Sequence, residues 1–170
     1  MLHTIVVDNF FDNVDDIISL SKKLKYYKAS ESDNWPGLRT KSLHDTHYNL
    51  FNSVIIKILN YYYPNKKLHY SNSYVVFSRL KYGDQGKTRF HLDDDTKIAA
   101  VIYLSEGNIE GGTTIFENDN KKQIIVGNIF NSMIAYDGNK LHGYTSLLPF
   151  KNKERLTLNV FIGDINDTRT

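Results

Sequence analysis

The chain has 170 residues, 41% of them apolar and 24% charged, with 12 Tyr and 9 Phe, proportions that exclude a disordered or low-complexity polymer. The formal net charge is only +2, and the basic residues fall in scattered pairs such as Lys22-Lys23, Lys66-Lys67 and Lys121-Lys122, which argues against obligatory nucleic-acid binding. Cysteine is absent, so disulfide frameworks, thiolate metal sites and cysteine nucleophiles are excluded, and His, Asp and Glu are left as the strong metal ligands.

The opening MLHTIVVDNFFDNVDD carries acids where a secretory leader would carry a basic segment, and no later run approaches the roughly 18 apolar residues of a membrane span. A soluble, cytoplasmic protein without membrane contact is the expectation. Val14, Ile17, Ile18 and Leu24 recur at helical spacing, with Asp12 or Asn13 as the N-cap, and predict a helix over 14–25. The following KASESDNWPGLRTKSLHD holds the only Trp and reads as a long polar loop. A second helix is set by Leu50, Phe51, Val54, Ile55, Ile58, Leu59 and Tyr62 at i, i+3, i+4, i+7 spacing, and Pro64-Asn65 ends it.

Beyond residue 70 the period falls to two, through SYVVFSRLKY, KIAAVIYLSE, GGTTIFE, KQIIVGNIF, SMIAYDG and RLTLNVFIGD, each bounded by Gly, Asn or Asp. Short strands after two helices predict a mainly β (α+β) domain: an antiparallel sandwich or barrel with the helices on one outer face. The organisation expected is one domain over 1–170, with 1–70 as helical support and loop and 71–165 as the β core.

FHLDDD at 90–95 is the segment that carries chemistry. With six His and 14 Asp, an H-x-D triplet arises by chance roughly 0.5 times in such a chain, so the triplet alone is weak. Its placement adds to it. In an extended segment His91 and Asp93 share a face and can converge on one cation, while Asp94 faces away and Asp95 lies in the turn. His142, 51 residues on in YDGNKLHGYTS, is the candidate third ligand. Two His and one Asp on one face of a metal leave three positions open, the arrangement of non-haem Fe(II) oxygenases. His44-x-x-His47 has the spacing of a zinc pair but no further ligand nearby.

Taken together, the motifs resemble the Fe(II)- and 2-oxoglutarate-dependent oxygenases, specifically the small prolyl 4-hydroxylase-like branch. His91-x-Asp93 and His142 match that family's iron ligands in order and separation. Arg155, 13 residues after His142 in RLTLNVF, matches its basic residue for the far carboxylate of 2-oxoglutarate, and Thr157 completes an R-x-S/T pattern. Tyr103 in AVIYLS matches a second donor to that carboxylate, Tyr82 in KYGDQG a Y-x-x-G segment before the first His, and GGTTIF a G-G-x-T/L-x-F motif whose glycines are also expected to form a hairpin turn. Alternation places Arg155, Thr157 and Asn159 on one strand face and Leu156, Leu158, Val160 and Ile162 on the other.

The resemblance implies a double-stranded β-helix (jelly-roll) barrel with the two N-terminal helices on its outer face. It also implies Fe(II), 2-oxoglutarate as co-substrate, O2, and ascorbate as reductant in vitro. The implied reaction hydroxylates an unactivated C–H bond on a protein or peptide, or on a small molecule, and releases succinate and CO2. Substrate contacts are expected from the segments Asn34–Ser42 and Tyr82–Arg89, with Trp35, Arg39, Arg89 and Asn159 as candidates; a structural role for Trp35 is the favoured reading. A nucleic-acid dealkylase of the same superfamily fits less well, because its R-x-N-x-T-x-R ending is not matched by RLTLNVF. A metal-free jelly-roll binding module is the alternative from another class.

Overall fold

The structure is a computed structural model that describes residues 2–30, 35–84, 89–117 and 122–167. In chain order its elements are β1 (Ile5–Val7), α1 (Val14–Lys23), β2 (Tyr26–Lys28), β3 (Leu38–Thr40), α2 (Tyr48–Tyr62), β4 (Leu68–Ser71), β5 (Tyr74–Leu80) and β6 (Ile98–Tyr103). They continue with β7 (Asn108–Glu117), β8 (Lys122–Asn128), β9 (Met133–Asp137), β10 (His142–Tyr144), a 3-10 turn at Leu148–Phe150, β11 (Arg155–Ile162) and β12 (Asp164–Asp167).

Both helices form where the 3.6-residue period predicts. α1 has Asp15 and Asp16 in its first turn and Lys22 and Lys23 in its last, charges that complement the helix dipole. Asn13 is the N-cap, but its side chain makes no capping bond and reaches Asp16 at 3.4 Å instead. α2 buries Phe51, Val54, Ile55, Ile58 and Leu59 on one stripe, each contributing roughly 1.5–3 kcal/mol by leaving water. Pro64 follows its last turn, closed by the Tyr63 N–H donating to the Leu59 carbonyl.

A seven-stranded sheet in the order β1-β9-β6-β11-β5-β3-β2 faces a three-stranded sheet in the order β10-β7-β8, and β12 pairs with β4. All of these pairings are antiparallel. Period-2 alternation then gives each face of the large sheet its own core. Val75, Phe77, Ile98, Ala100, Ile102 and Val160 pack against the α2 stripe, whereas Ala99, Tyr103, Ile134 and Tyr136 turn inward to meet Ile115 of the small sheet. The architecture is therefore a mainly β jelly-roll with the two helices on the outer face of its large sheet.

Two expectations are corrected. The polar stretch 28–45 is not all loop: β2 and β3 pair with each other and β3 pairs with β5, placing Arg39 opposite Ser78. Strands of three residues are too short to show a period. Gly111-Gly112 is not a hairpin turn; both lie inside β7, where its register against β8 shifts between Asn108 and Thr113. A Cβ on Gly112 would stand 1.8 Å from the Val126 carbonyl oxygen, so only glycine permits this bulge.

Candidate metal centre and its cavity

His91 and His142 form an isolated antiparallel bridge: each N–H donates to the other's carbonyl at 2.9 Å. The bridge sets the two imidazoles side by side, ring centroids 4.6 Å apart. Asp93, two residues on, falls on the same face, and the Asp95 φ of 62° turns the chain away towards β6. Asp93 Oδ2 lies 3.2 Å from His142 Nε2 and Oδ1 lies 3.6 Å from His91 Nε2. One ligand atom from each residue falls within 4.8 Å of the others; donors bonded at about 2.0–2.2 Å on one face of a cation lie about 3 Å apart, so the trio could hold a metal ion with little movement. His44 and His47 bond their own neighbours, Asp45 and Thr46, and among the described residues no other group of three ligands converges.

Neighbouring groups prepare the imidazoles. The Lys140 carbonyl lies 2.8 Å from His142 Nδ1; as it can only accept, Nδ1 carries the proton and Nε2 offers its lone pair to the centre. Burial, with His142 beside it, holds His91 below the usual histidine range against the opposing pull of Asp93, which favours the neutral, ligating form. A Cβ on Gly143 would stand 2.1 Å from the Arg89 carbonyl oxygen, so this position must be glycine for the two histidine segments to approach.

From the trio a narrow cavity of about 70 Å3 runs between the sheets to Arg155. Arg155 is only 4% exposed. Its Nε donates to the Gly111 carbonyl at 2.8 Å, which makes the β7 bulge the holder of its fork, and its guanidinium lies 5.4 Å from the Tyr103 ring centroid. Among the described residues no carboxylate pairs with it. Burial pushes the guanidinium down from its ordinary value, opposed by Tyr103 and Tyr136, but an arginine remains charged.

The other predicted residues divide into three groups. Asn159 and Arg39 line the cavity with Arg155; Asn159 Nδ2 donates to Ser78 Oγ at 3.1 Å while its buried Oδ1 has no partner. Tyr103 and Thr157 stand behind the wall. The Tyr103 hydroxyl donates to Thr113 Oγ1 at 2.7 Å, and Thr113 is the residue that reaches the cavity; Thr157 Oγ1 is buried without a partner. Outside the cavity lie Tyr82, 52% exposed beyond the end of β5, Trp35, whose ring stacks on Arg39 at 5.1 Å, and exposed Arg89, whose Nε donates to the Tyr144 carbonyl. The segment expectations at Asn34 and at Gln85 to Thr88 lie outside the described residues.

Tyr136 lines the cavity beside the trio, its ring 4.8 Å from that of His142, and sequence reasoning missed it. Burial and the Asp93 carboxylate raise its phenol well above the usual range. Alternation in SMIAYDG gives Tyr136 the inward parity of Ile134, a signal that was present.

Similarity to solved structures is extensive in fold and slight in sequence. The non-haem alpha-ketoglutarate-dependent epimerase SnoN from nogalamycin biosynthesis superposes with a TM-score of 0.69 at 14% identity, covering 95% of this chain and 78% of that one. A prolyl-4-hydroxylase from Pseudomonas putida gives 0.64 at 18% identity, covering 94% and 91%. HygX from Streptomyces hygroscopicus, solved with nickel, 2-oxoglutarate and hygromycin B, gives 0.63 at 13% identity, covering 94% and 82%. The chain thus has the fold of the 2-oxoglutarate/Fe(II) oxygenases. No curated protein matches its sequence. A family model matches residues 2–128, a span that contains His91 and Asp93 and ends before His142 and Arg155. The chain belongs to the family described as a family of unknown function, DUF6445.

Proposed function

We propose that the protein is an Fe(II)- and 2-oxoglutarate-dependent oxygenase that hydroxylates an unactivated C–H bond and releases succinate and CO2, its whole chain serving as one oxygenase domain. The observation that carries this reading is Arg155: a guanidinium nearly excluded from water, without a carboxylate partner among the described residues, at the far end of the cavity that begins at His91, Asp93 and His142. An uncompensated buried charge is strongly unfavourable. An anion that bridges guanidinium and metal removes the penalty, and a 2-oxo diacid has a carboxylate for each end.

The residues fit this group by donor chemistry. Two imidazoles and one carboxylate on one face suit Fe(II) and leave positions for a bidentate ligand and O2. When bound, iron and 2-oxoglutarate together supply the oxidising chemistry, and ascorbate serves as reductant in vitro. His91, Asp93 and His142 hold the cation. Arg155 receives the distal carboxylate through two parallel charge-assisted hydrogen bonds. The Tyr103–Thr113 pair fixes that wall, and Tyr136, Ala99 and Ile115 exclude water around it.

The P. putida neighbour supports a peptide substrate in the manner of the prolyl hydroxylases, whereas SnoN and HygX support a small molecule. The test is succinate formation from 2-oxoglutarate with Fe(II), O2 and ascorbate, wild type against Asp93→Ala. Succinate that disappears in the variant is expected. A folded wild-type protein that binds neither Mn(II) nor 2-oxoglutarate overturns the proposal in favour of a metal-free module.

A further inference from the structure

β10 has three residues with Gly143 at its centre, so its own side chains do little to fix its register against β7. The register that sets His142 opposite Ile115, continued by two residues, brings Lys140 opposite Glu117. The Phe116 N–H donates to the Leu141 carbonyl at 2.8 Å, so the pair beyond it is of the non-hydrogen-bonded kind, in which side chains stand closest. Period two puts Glu117 and Lys140 on the face that carries Ile115 and His142. There Lys140 Nζ donates to Glu117 Oε1 at 2.5 Å, the two side chains only 12% and 17% exposed, and Nζ also reaches the Leu2 carbonyl at 3.4 Å.

A largely buried ion pair is weak evidence for stability. Desolvation of the two charges offsets most of their attraction, and apolar residues of similar volume often serve as well or better. What such a pair specifies here is register, because a one-residue slip of β10 would part ammonium from carboxylate and leave each charge buried alone. The same slip would turn His142 off the face it shares with His91 and Asp93. Lys140 is tied to His142 in a second way. Its N–H donates to the Asp137 carbonyl at 3.0 Å, and its own carbonyl, 2.8 Å from Nδ1, accepts the proton of the His142 ring.

We propose that the Lys140–Glu117 pair is the register lock of the metal centre: it fixes the strand face of His142 and the carbonyl that sets its tautomer, and adds little to the stability of the fold. The inference rests on the metal-binding part of the oxygenase reading above. Both are positioning residues, since neither lines the cavity nor belongs to the ligand trio. They act on the metal only through His142.

Metal affinity and stability should therefore part company when the pair is replaced. Lys140→Met combined with Glu117→Leu exchanges it for apolar side chains of similar volume, and Lys140→Glu combined with Glu117→Lys reverses it. Mn(II) affinity is measured by calorimetry, and stability by urea denaturation of the metal-free protein. The expected result for the apolar double variant is Mn(II) binding about ten-fold or more weaker with a urea midpoint at or above that of the wild type. The charge-reversed double variant should recover part of the lost affinity. Wild-type Mn(II) affinity in the apolar double variant overturns the proposal. An apolar double variant that is destabilised or does not fold overturns it too, because the pair is then an ordinary part of the core. A charge-reversed variant that binds Mn(II) no better than the apolar one assigns the effect to packing and overturns it as well. A wild-type protein that takes up no Mn(II) fails the metal centre itself, and this inference falls with it.

Discussion

His91 and His142 exchange backbone hydrogen bonds in both directions at 2.9 Å, 51 residues apart in sequence. The candidate metal centre is therefore built at a single strand contact, which lies outside the large sheet and its helical core.

Fold and site should separate under mutation at that contact. Gly143→Ala sets a Cβ against the Arg89 carbonyl oxygen, so the bridge must open, while the core beneath α2 is untouched. Mn(II) affinity measured by calorimetry is expected to fall by about 10–100-fold or more, as when a ligand's support is lost. The loss of stability in urea should stay below about 3 kcal/mol, ordinary for a point mutation. An unchanged affinity would mean that the bridge does not set the ligands.

Arg155 makes a thermal prediction. With Mn(II) present, 2-oxoglutarate at 100 times its Kd should stabilise the wild type by about 2.7 kcal/mol through mass action. Arg155→Gln removes hydrogen bonds to a charged group, each about 1.5–3 kcal/mol, so the same concentration should leave its melting temperature almost unmoved. A ligand-dependent shift of wild-type size in the variant would contradict the role given to the guanidinium.

Alkaline pH tests the buried phenol. Burial raises Tyr103 above its reference value of 10.0, against the opposing effects of Arg155 and Thr113. The unfolded chain then loses this proton first as pH rises. The contribution to stability is complete below about pH 10 and is lost as pH climbs from there towards the folded value. Stability followed by urea denaturation from pH 9 upward should fall, and Tyr103→Phe should reduce the slope; an identical slope in the variant would assign the loss to other tyrosines.

Long periodic segments were legible in the chain, and short ones were not. The α2 stripe and the alternation of β5, β6, β9 and β11 each repeat often enough to fix an element and its inward face. β2, β3, β4, β10 and β12 have three or four residues each, and only tertiary pairing defines them. That is why Arg39 could be named as a substrate candidate from its loop but not placed opposite Ser78. The spacing of His91, Asp93 and His142 predicted a common face, and the structure brings them together; it leaves Tyr82 outside, because the turn after Leu80 takes the chain away before strand parity can direct that side chain. Gly111-Gly112 announced a special backbone without saying which: the same pair serves a hairpin or a bulge, and the approach of Val126 decides it.

The two stripes of β11 bear on how such a chain can change over generations. Arg155, Asn159 and Phe161 face the cavity, while Leu158, Val160 and Ile162 belong to the helix-backed core. Gain or loss of one codon within this strand would exchange the stripes, burying a guanidinium among aliphatic side chains and emptying the site in one event. Descendants of this protein are accordingly expected to keep the length of β11 and to alter this strand by substitution alone.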